Sequence, residues 1–172
     1  MSGLRIDELG PYSMPQLREI ASLLPPKYGL AREPLVTRVG DDFDYGKVTS
    51  ALSARRPVIL LWCETPAFGH FIMLHRRRDG VELYDPLGTT DGEDMWEHYM
   101  DDPTGLNGGG LRPYLQSLHE DGVELSYNPP SAGSQPESAD SCGLWCLFRA
   151  MAPEQSPTEF HRGSRRRRAA NK

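Results

Sequence analysis

An α+β domain, built as a small mixed β-sheet packed on helices, is the fold class this sequence predicts. Three observations predict it. Apolar runs of strand length sit close together in the middle of the chain, at 58–63, 70–76 and 81–85. Segments with helical apolar spacing stand on both sides of them. Finally, Leu144-Trp145-Cys146-Leu147-Phe148 follows Cys142-Gly143 as a continuous apolar run, which reads as a buried helix. At 172 residues the chain is expected to form one domain, large enough to bury a core without disulfide or metal staples.

Ser13-Met14-Pro15-Gln16 reads as a capping box opening a helix that runs to Leu24 and stops at Pro25-Pro26. Leu17, Ile20, Ala21 and Leu24 fall on one face of it. A second helix is expected from Tyr45 to Ala54, ended by Arg55-Arg56-Pro57. Val58–Cys63 then reads as a buried strand, and Glu64–Gly69 as the loop that leads to His70. Four apolar residues in a row after His70 predict a strand covered on both faces. The Asp79-Gly80 turn predicts a hairpin to Val81–Asp85, closed by Pro86. Gly92–Met100 is expected to be an acidic helix and Pro103–Gly110 a flexible glycine-rich loop, because Gly108-Gly109-Gly110 lacks the lysine and spacing of a phosphate loop. Leu111–His119 reads as a helix, Val123–Tyr127 as a strand, and Pro129–Ser134 as a loop that delivers Gln135.

Cys142 is the residue with the most chemistry in its setting. A cysteine that opens a buried helix sits among unpaired N–H groups at the positive end of the helix dipole, and both favour the thiolate. By itself such a cysteine is equally well read as a core residue. A nucleophilic cysteine needs a base, and the base needs an orienting group. Of the five histidines, His70 is best placed, at the mouth of a rigid strand. His75, beside Arg76-Arg77-Arg78, is expected at a solvated strand end. His98 and His119 fall on polar helical surfaces, and His161 in the C-terminal tail. If strands 70–76 and 81–85 pair across their turn, Asp85 falls near His70. There it is expected to accept the imidazole Nδ1–H, although Asp-Pro is also an ordinary turn pair. Gln135, seven residues before Cys142, is expected to join the Cys142 backbone N–H as a donor to an oxyanion.

Read in order, Gly69-His70-Phe71, Leu83-Tyr84-Asp85-Pro86-Leu87-Gly88, Gln135 and Cys142-Gly143-Leu144-Trp145-Cys146 resemble the adenovirus maturation protease (adenain) family. Its wider superfamily includes the ubiquitin-like-protein-specific (SUMO) proteases. The six residues between Gln135 and Cys142 match the adenain spacing, and Tyr127-Asn128 is similar to adenain-like proteases of large DNA viruses and virus-like transposons. The resemblance spans separated blocks, roughly 58–88 and 125–151. It implies a papain-like core in rotated chain order, with the nucleophile at a helix N-terminus. It also implies His70, Asp85, Gln135 and Cys142 as catalytic residues. Members usually carry tryptophan where this chain has Phe71, so Phe71 is implied as a substrate-binding wall of the slot for small residues. Adenain has glutamate at the Asp85 position, where the SUMO-protease branch has aspartate. The organisation implied is a variable N-terminal helical part at 1–57, a catalytic core at 58–153 and a basic, disordered tail at 154–172.

Charge divides the chain unevenly. From residue 160 onward there are six of the 19 basic residues and none of the 24 acidic ones. Arg165–Arg168 are therefore a candidate nucleic-acid tether or nuclear address, or simply a solvated tail, while the acidic remainder is a poor match for DNA. Cys63, Cys142 and Cys146 have neither disulfide-framework nor metal-site spacing, and no cofactor or metal is expected. They suit a reducing compartment. Without an apolar run of spanning length or an opening signal peptide, no membrane partner is expected.

The functional expectation is a cysteine endopeptidase (a hydrolase) cutting after small, glycine-type residues, with polypeptide substrates. The resemblance implies a viral maturation protease acting on virion precursors, located inside the virion or in the nucleus or cytoplasm of an infected cell. The alternatives are an isopeptidase acting on ubiquitin-like conjugates, with the same catalytic groups, and a catalytically inactive binding module.

Overall fold

The computed structural model describes residues 12–24, 33–88, 99, 102, 104–128 and 140–170, with the backbone alone described from 164 to 170. Five strands form one mixed sheet in sequential order: β1 (Leu35–Arg38), β2 (Val58–Cys63), β3 (Gly69–Arg76), β4 (Gly80–Tyr84) and β5 (Glu124–Tyr127). The central pairs β2–β3 and β3–β4 are antiparallel, while β1–β2 and β4–β5 are parallel. A parallel neighbour requires a crossover, and each of these crossovers contains a helix. Helix α2 (Tyr45–Ser53) lies between β1 and β2, and α3 (Arg112–Glu120) between β4 and β5. Helices α1 (Met14–Leu23), α4 (Cys142–Ala150) and α5 (Pro157–Ala170) complete the α+β fold.

Side chains alternate between the faces of a strand, so each central strand feeds two cores. Val58, Leu60, Trp62, Ile72, Leu74, Val81 and Leu83 pack with Val48 and Leu52 of α2 and Tyr114, Leu115 and Leu118 of α3. Ile59, Phe71, Met73 and Tyr84 pack on the other face with Leu17 and Ala21 of α1 and the apolar length of α4. The uninterrupted hydrophobicity of β2 and β3 is the consequence of being covered twice. Gly80 is required by the β4–β5 approach, since a Cβ there would lie 2.0 Å from the Glu124 carbonyl oxygen.

The Ser13–Gln16 capping box is present, and α1 ends one residue earlier than expected. Asp44 caps α2 by accepting the Lys47 N–H at 2.9 Å. Strand β1 was not expected within the N-terminal helical part. Four residues at a sheet edge carry little period, and Arg18 of α1 covers that edge by donating twice to the Val36 carbonyl, at 3.1 and 2.9 Å. Residues 1–57 thus contribute a strand to the same sheet as the core.

The expected disordered tail is corrected more firmly. Ser156 and Glu159 form a second capping box, with Glu159 N–H donating to Ser156 Oγ and Ser156 N–H to Glu159 Oε2. It opens α5, whose Phe160 is buried against Tyr84 and Trp145. The physical reason is this apolar anchor, which the arginine-rich composition of the segment masks. His75 is corrected too. It is buried directly opposite Glu82 in the ladder, among Arg149, Arg77 and Arg55. Burial and those three cations push its pKa down to about 4. Arg149 and Glu82, both fully buried, form a two-pronged ion pair at 3.0 and 2.8 Å, joined by Arg77 at 2.9 Å. The expected helix at 92–100 lies outside the described residues except for Tyr99. No helix among the described residues is long and apolar enough to cross a membrane.

Candidate active site

His70 is the second residue of β3, and Asp85 follows the last residue of β4. Met73 pairs with Tyr84, so continuing the register sets Asp85 opposite Ile72, two residues from His70. His70 Nε2 lies 2.7 Å from Asp85 Oδ1, with both side chains buried. The expected pair is therefore formed, but through Nε2 rather than Nδ1. Cys142 lies near enough to His70 to raise its pKa together with Asp85.

Cys142 opens α4, directly after Ser141 at the cap position. Its helix packs on the face of the sheet opposite to His70, whose side chain shares a face with Ile72 and Leu74. The two meet at the end of the sheet, where β3 begins. The Phe71 backbone N–H donates to Cys142 Sγ at 3.4 Å, and Cys146 Sγ donates to the Phe71 carbonyl at 3.4 Å. One peptide segment of β3 thus contacts both sulfurs. Gly143 permits this closeness: a Cβ there would lie 3.0 Å from Leu17 and 3.2 Å from Phe71. Phe71 itself needs correction as a substrate-binding wall. Its side chain is 3 % exposed and packs in the core with Leu17 and Trp145, because alternation along β3 turns it beneath α4 while His70 faces the other way.

Burial opposes a charged imidazole, but the Asp85 and Cys142 hydrogen bonds and charges outweigh it and raise the His70 pKa to about 10. Burial likewise opposes the Asp85 carboxylate, and His70, the Tyr99 hydroxyl and the Leu87 N–H reverse that, so its pKa is lowered. His70 is thus an imidazolium beside the Cys142 sulfur, and in that form it is a proton donor. Cys146 is buried, with its pKa pushed well up by burial, then by Cys142 and Asp85. It is the inert member of the helical pair. Cys63 is buried as well, and all three cysteines are free.

Asn107 and Tyr99 escaped the sequence reading as site residues, and Asn128, noted there only in the Tyr127-Asn128 pair, was given no role. Asn128 receives the Asp85 N–H at 2.7 Å and donates to the Asp85 carbonyl at 2.8 Å, which fixes the backbone beyond the end of β4. Asn107 does the same for Cys63 at the end of β2, at 2.8 and 3.0 Å. Its loop, expected to be flexible, is instead tied to the sheet. Tyr99 donates to Asp85 Oδ2 at 2.8 Å. A buried amide next to a strand end is the available signal for Asn128; nothing local marks Tyr99. Gln135 lies outside the described residues. Among the described residues no group of three or more His, Cys, Asp or Glu could hold a metal ion. No protein-family model matches the chain, and no curated protein matches its sequence.

Proposed function

We propose that the chain is a cysteine endopeptidase. The observation that carries this reading is the buried His70–Asp85 pair at 2.7 Å, with the helix-opening Cys142 near enough to raise the His70 pKa and its sulfur held by the Phe71 N–H at 3.4 Å. With the proton of Cys142 already resting on the His70 ring, the sulfur adds to the peptide carbonyl carbon. The resulting oxyanion is held by the Cys142 N–H and by Gln135 in the role the motif order implies. As the C–N bond breaks, His70 returns the proton to the leaving amine. It then takes a proton from the water that attacks the thioester, and the acid product leaves with the thiol restored. Phe68 and Leu87 are two of the three large apolar side chains exposed among the described residues. They stand two residues before His70 and two after Asp85, supplying apolar contact for a polypeptide laid across the site.

The motif order supports a maturation protease that trims virion precursors after small residues, inside particles or in the nucleus or cytoplasm of an infected cell. Arg165–Arg168, on the helix rooted by Phe160, are the proposed nucleic-acid contact. The test is to offer the purified protein capsid-type peptides and modifier–fluorophore conjugates side by side. Turnover of the peptides, lost in Cys142→Ala, is the expected result. Turnover of the conjugates alone would reassign the chain to the isopeptidases. No turnover of either, with Cys142 unreactive to a thiol reagent, would leave a binding module.

A further inference from the structure

Asp85 has two carboxylate oxygens, and they have different duties. Oδ1 accepts from His70 Nε2 at 2.7 Å and from the Leu87 N–H at 2.9 Å. Oδ2 accepts the Tyr99 hydroxyl at 2.8 Å. A carboxylate anchored through one oxygen can turn about its Cβ–Cγ bond, and its partner imidazole turns with it. Anchored through both, it holds one plane. We infer that Tyr99 is a positioning residue of the catalytic pair, acting through Asp85 to fix the plane and distance of the His70 ring. This inference rests on the reading of His70 and Cys142 as the reactive pair.

The surroundings of Tyr99 are built to keep that hydroxyl still. Its ring stands edge-on to Trp62 at 5.4 Å, and Trp62 is the ladder partner of His70. Its carbonyl accepts the Leu111 N–H at 2.9 Å, closing the segment into a loop. Within that loop the Asp102 carboxylate gathers Thr104 Oγ1 at 2.8 Å and the Asn107 N–H at 2.6 Å. Asn107 then clips the loop to Cys63 at the end of β2. A chain of short contacts therefore ties the tyrosine to the same strand ends that present the histidine. Burial and the adjacent Asp85 charge hold its phenol pKa well above the usual value, so the hydroxyl keeps its proton to donate.

The competing account is a core tyrosine that finds an acceptor because buried hydroxyls must. Tyr99→Phe separates the two, since it keeps the ring on Trp62 and removes only the donor. Two readouts need no substrate. The first is the titration of the Asp85 carboxyl carbon, followed by NMR on 13C-aspartate protein. Loss of a hydrogen bond to a charged group should move its midpoint upward by about one pH unit or more. The second is the rate of Cys142 alkylation by iodoacetamide at neutral pH, which should fall about tenfold in Tyr99→Phe. In an Asp85→Ala background the same substitution should change that rate by less than about twofold, because coupled residues are not additive. An equal loss in both backgrounds overturns the proposal, as does wild-type alkylation in Tyr99→Phe. Should Asp85→Ala fail to fold, the carboxyl titration of the single variant decides, and an unmoved midpoint refutes the role. A wild-type protein that alkylates rapidly at Cys142 but cuts no peptide refutes the endopeptidase reading and leaves this test intact.

Discussion

Replacing Asp85 by Asn should move the alkaline limb of peptide hydrolysis down the pH scale by about three units. The wild-type His70 pKa of about 10 is reached against burial, which alone would lower it from 6.5. The carboxylate oxygen lies 2.7 Å from Nε2. With charge centres about 4 Å apart and an effective dielectric of about 20, the attraction is about 4 kcal/mol, equivalent to about three pH units. Without the charge, His70 should hold its proton only to about pH 7. Its role in protonating the leaving amine is then lost near neutrality.

The measurement is kcat/KM against pH for a peptide substrate, with the His70 ring titrated in parallel by NMR. In wild type the alkaline limb should lie near the His70 pKa of about 10, and in Asp85→Asn it should lie close to neutral. Below that limb the variant should retain more activity than His70→Ala, because an imidazolium without its orienter can still protonate the leaving amine. A limb that stays in place in Asp85→Asn would refute the reasoning, since it would show that Asp85 does not set the protonation of His70. The same pair acts on stability. A histidine raised from 6.5 to about 10 on folding contributes fully below pH 6.5, and that contribution is lost as the pH climbs through 10.

Cys142→Ala should abolish hydrolysis and site-specific alkylation, while Cys146→Ala and Cys63→Ala should leave catalysis largely intact; mass-mapped alkylation at Cys146 ahead of Cys142 would reverse the assignment. Glu82→Ala should destabilise the fold by about 3–5 kcal/mol in urea unfolding, because it strands the buried Arg149 guanidinium. A change within about 1 kcal/mol would mean that water reaches the pair. His75 titrates in the opposite sense to His70. Its folded pKa of about 4 means that stability is lost as the pH falls from 6.5 to 4, by about 3 kcal/mol in all, and His75→Leu should flatten the melting temperature over that window.

The central fold was legible because β2 and β3 are covered on both faces and so carry long apolar runs, and β4 follows an Asp-Gly turn. β2 and β3 fall within a residue of their expected bounds, and the β3–β4 turn brings His70 and Asp85 together as the hairpin signal required. Where the sequence reading failed, the deciding contacts were long-range. β1 is four residues at an edge, stabilised by a parallel partner and by Arg18. The arginines of α5 outweigh Phe160 in composition, yet one buried ring and a capping box bind that helix to the core. His75 looked solvated beside three arginines because sequence adjacency does not report that Glu82 and Arg149 occupy the space beneath it.

The site divides along the same line. Residues proposed to carry the chemistry are marked by their own types and by their neighbours: a cysteine before glycine and an apolar helix, a histidine at a strand mouth, an aspartate before proline. Residues that hold them are ordinary types made consequential by folding. Asn128 matters because it meets both backbone groups of Asp85, and Tyr99 because its hydroxyl reaches the one carboxylate oxygen that His70 leaves untouched. Phe71 shows the converse. Its position after His70 suggests a substrate wall, yet strand alternation sends its ring into the core and brings only its peptide group to the sulfur. The backbone N–H that fixes Cys142 Sγ therefore does not depend on which side chain follows the histidine, so an aromatic exchange at that position can alter the core beneath α4 without disturbing the reacting atoms.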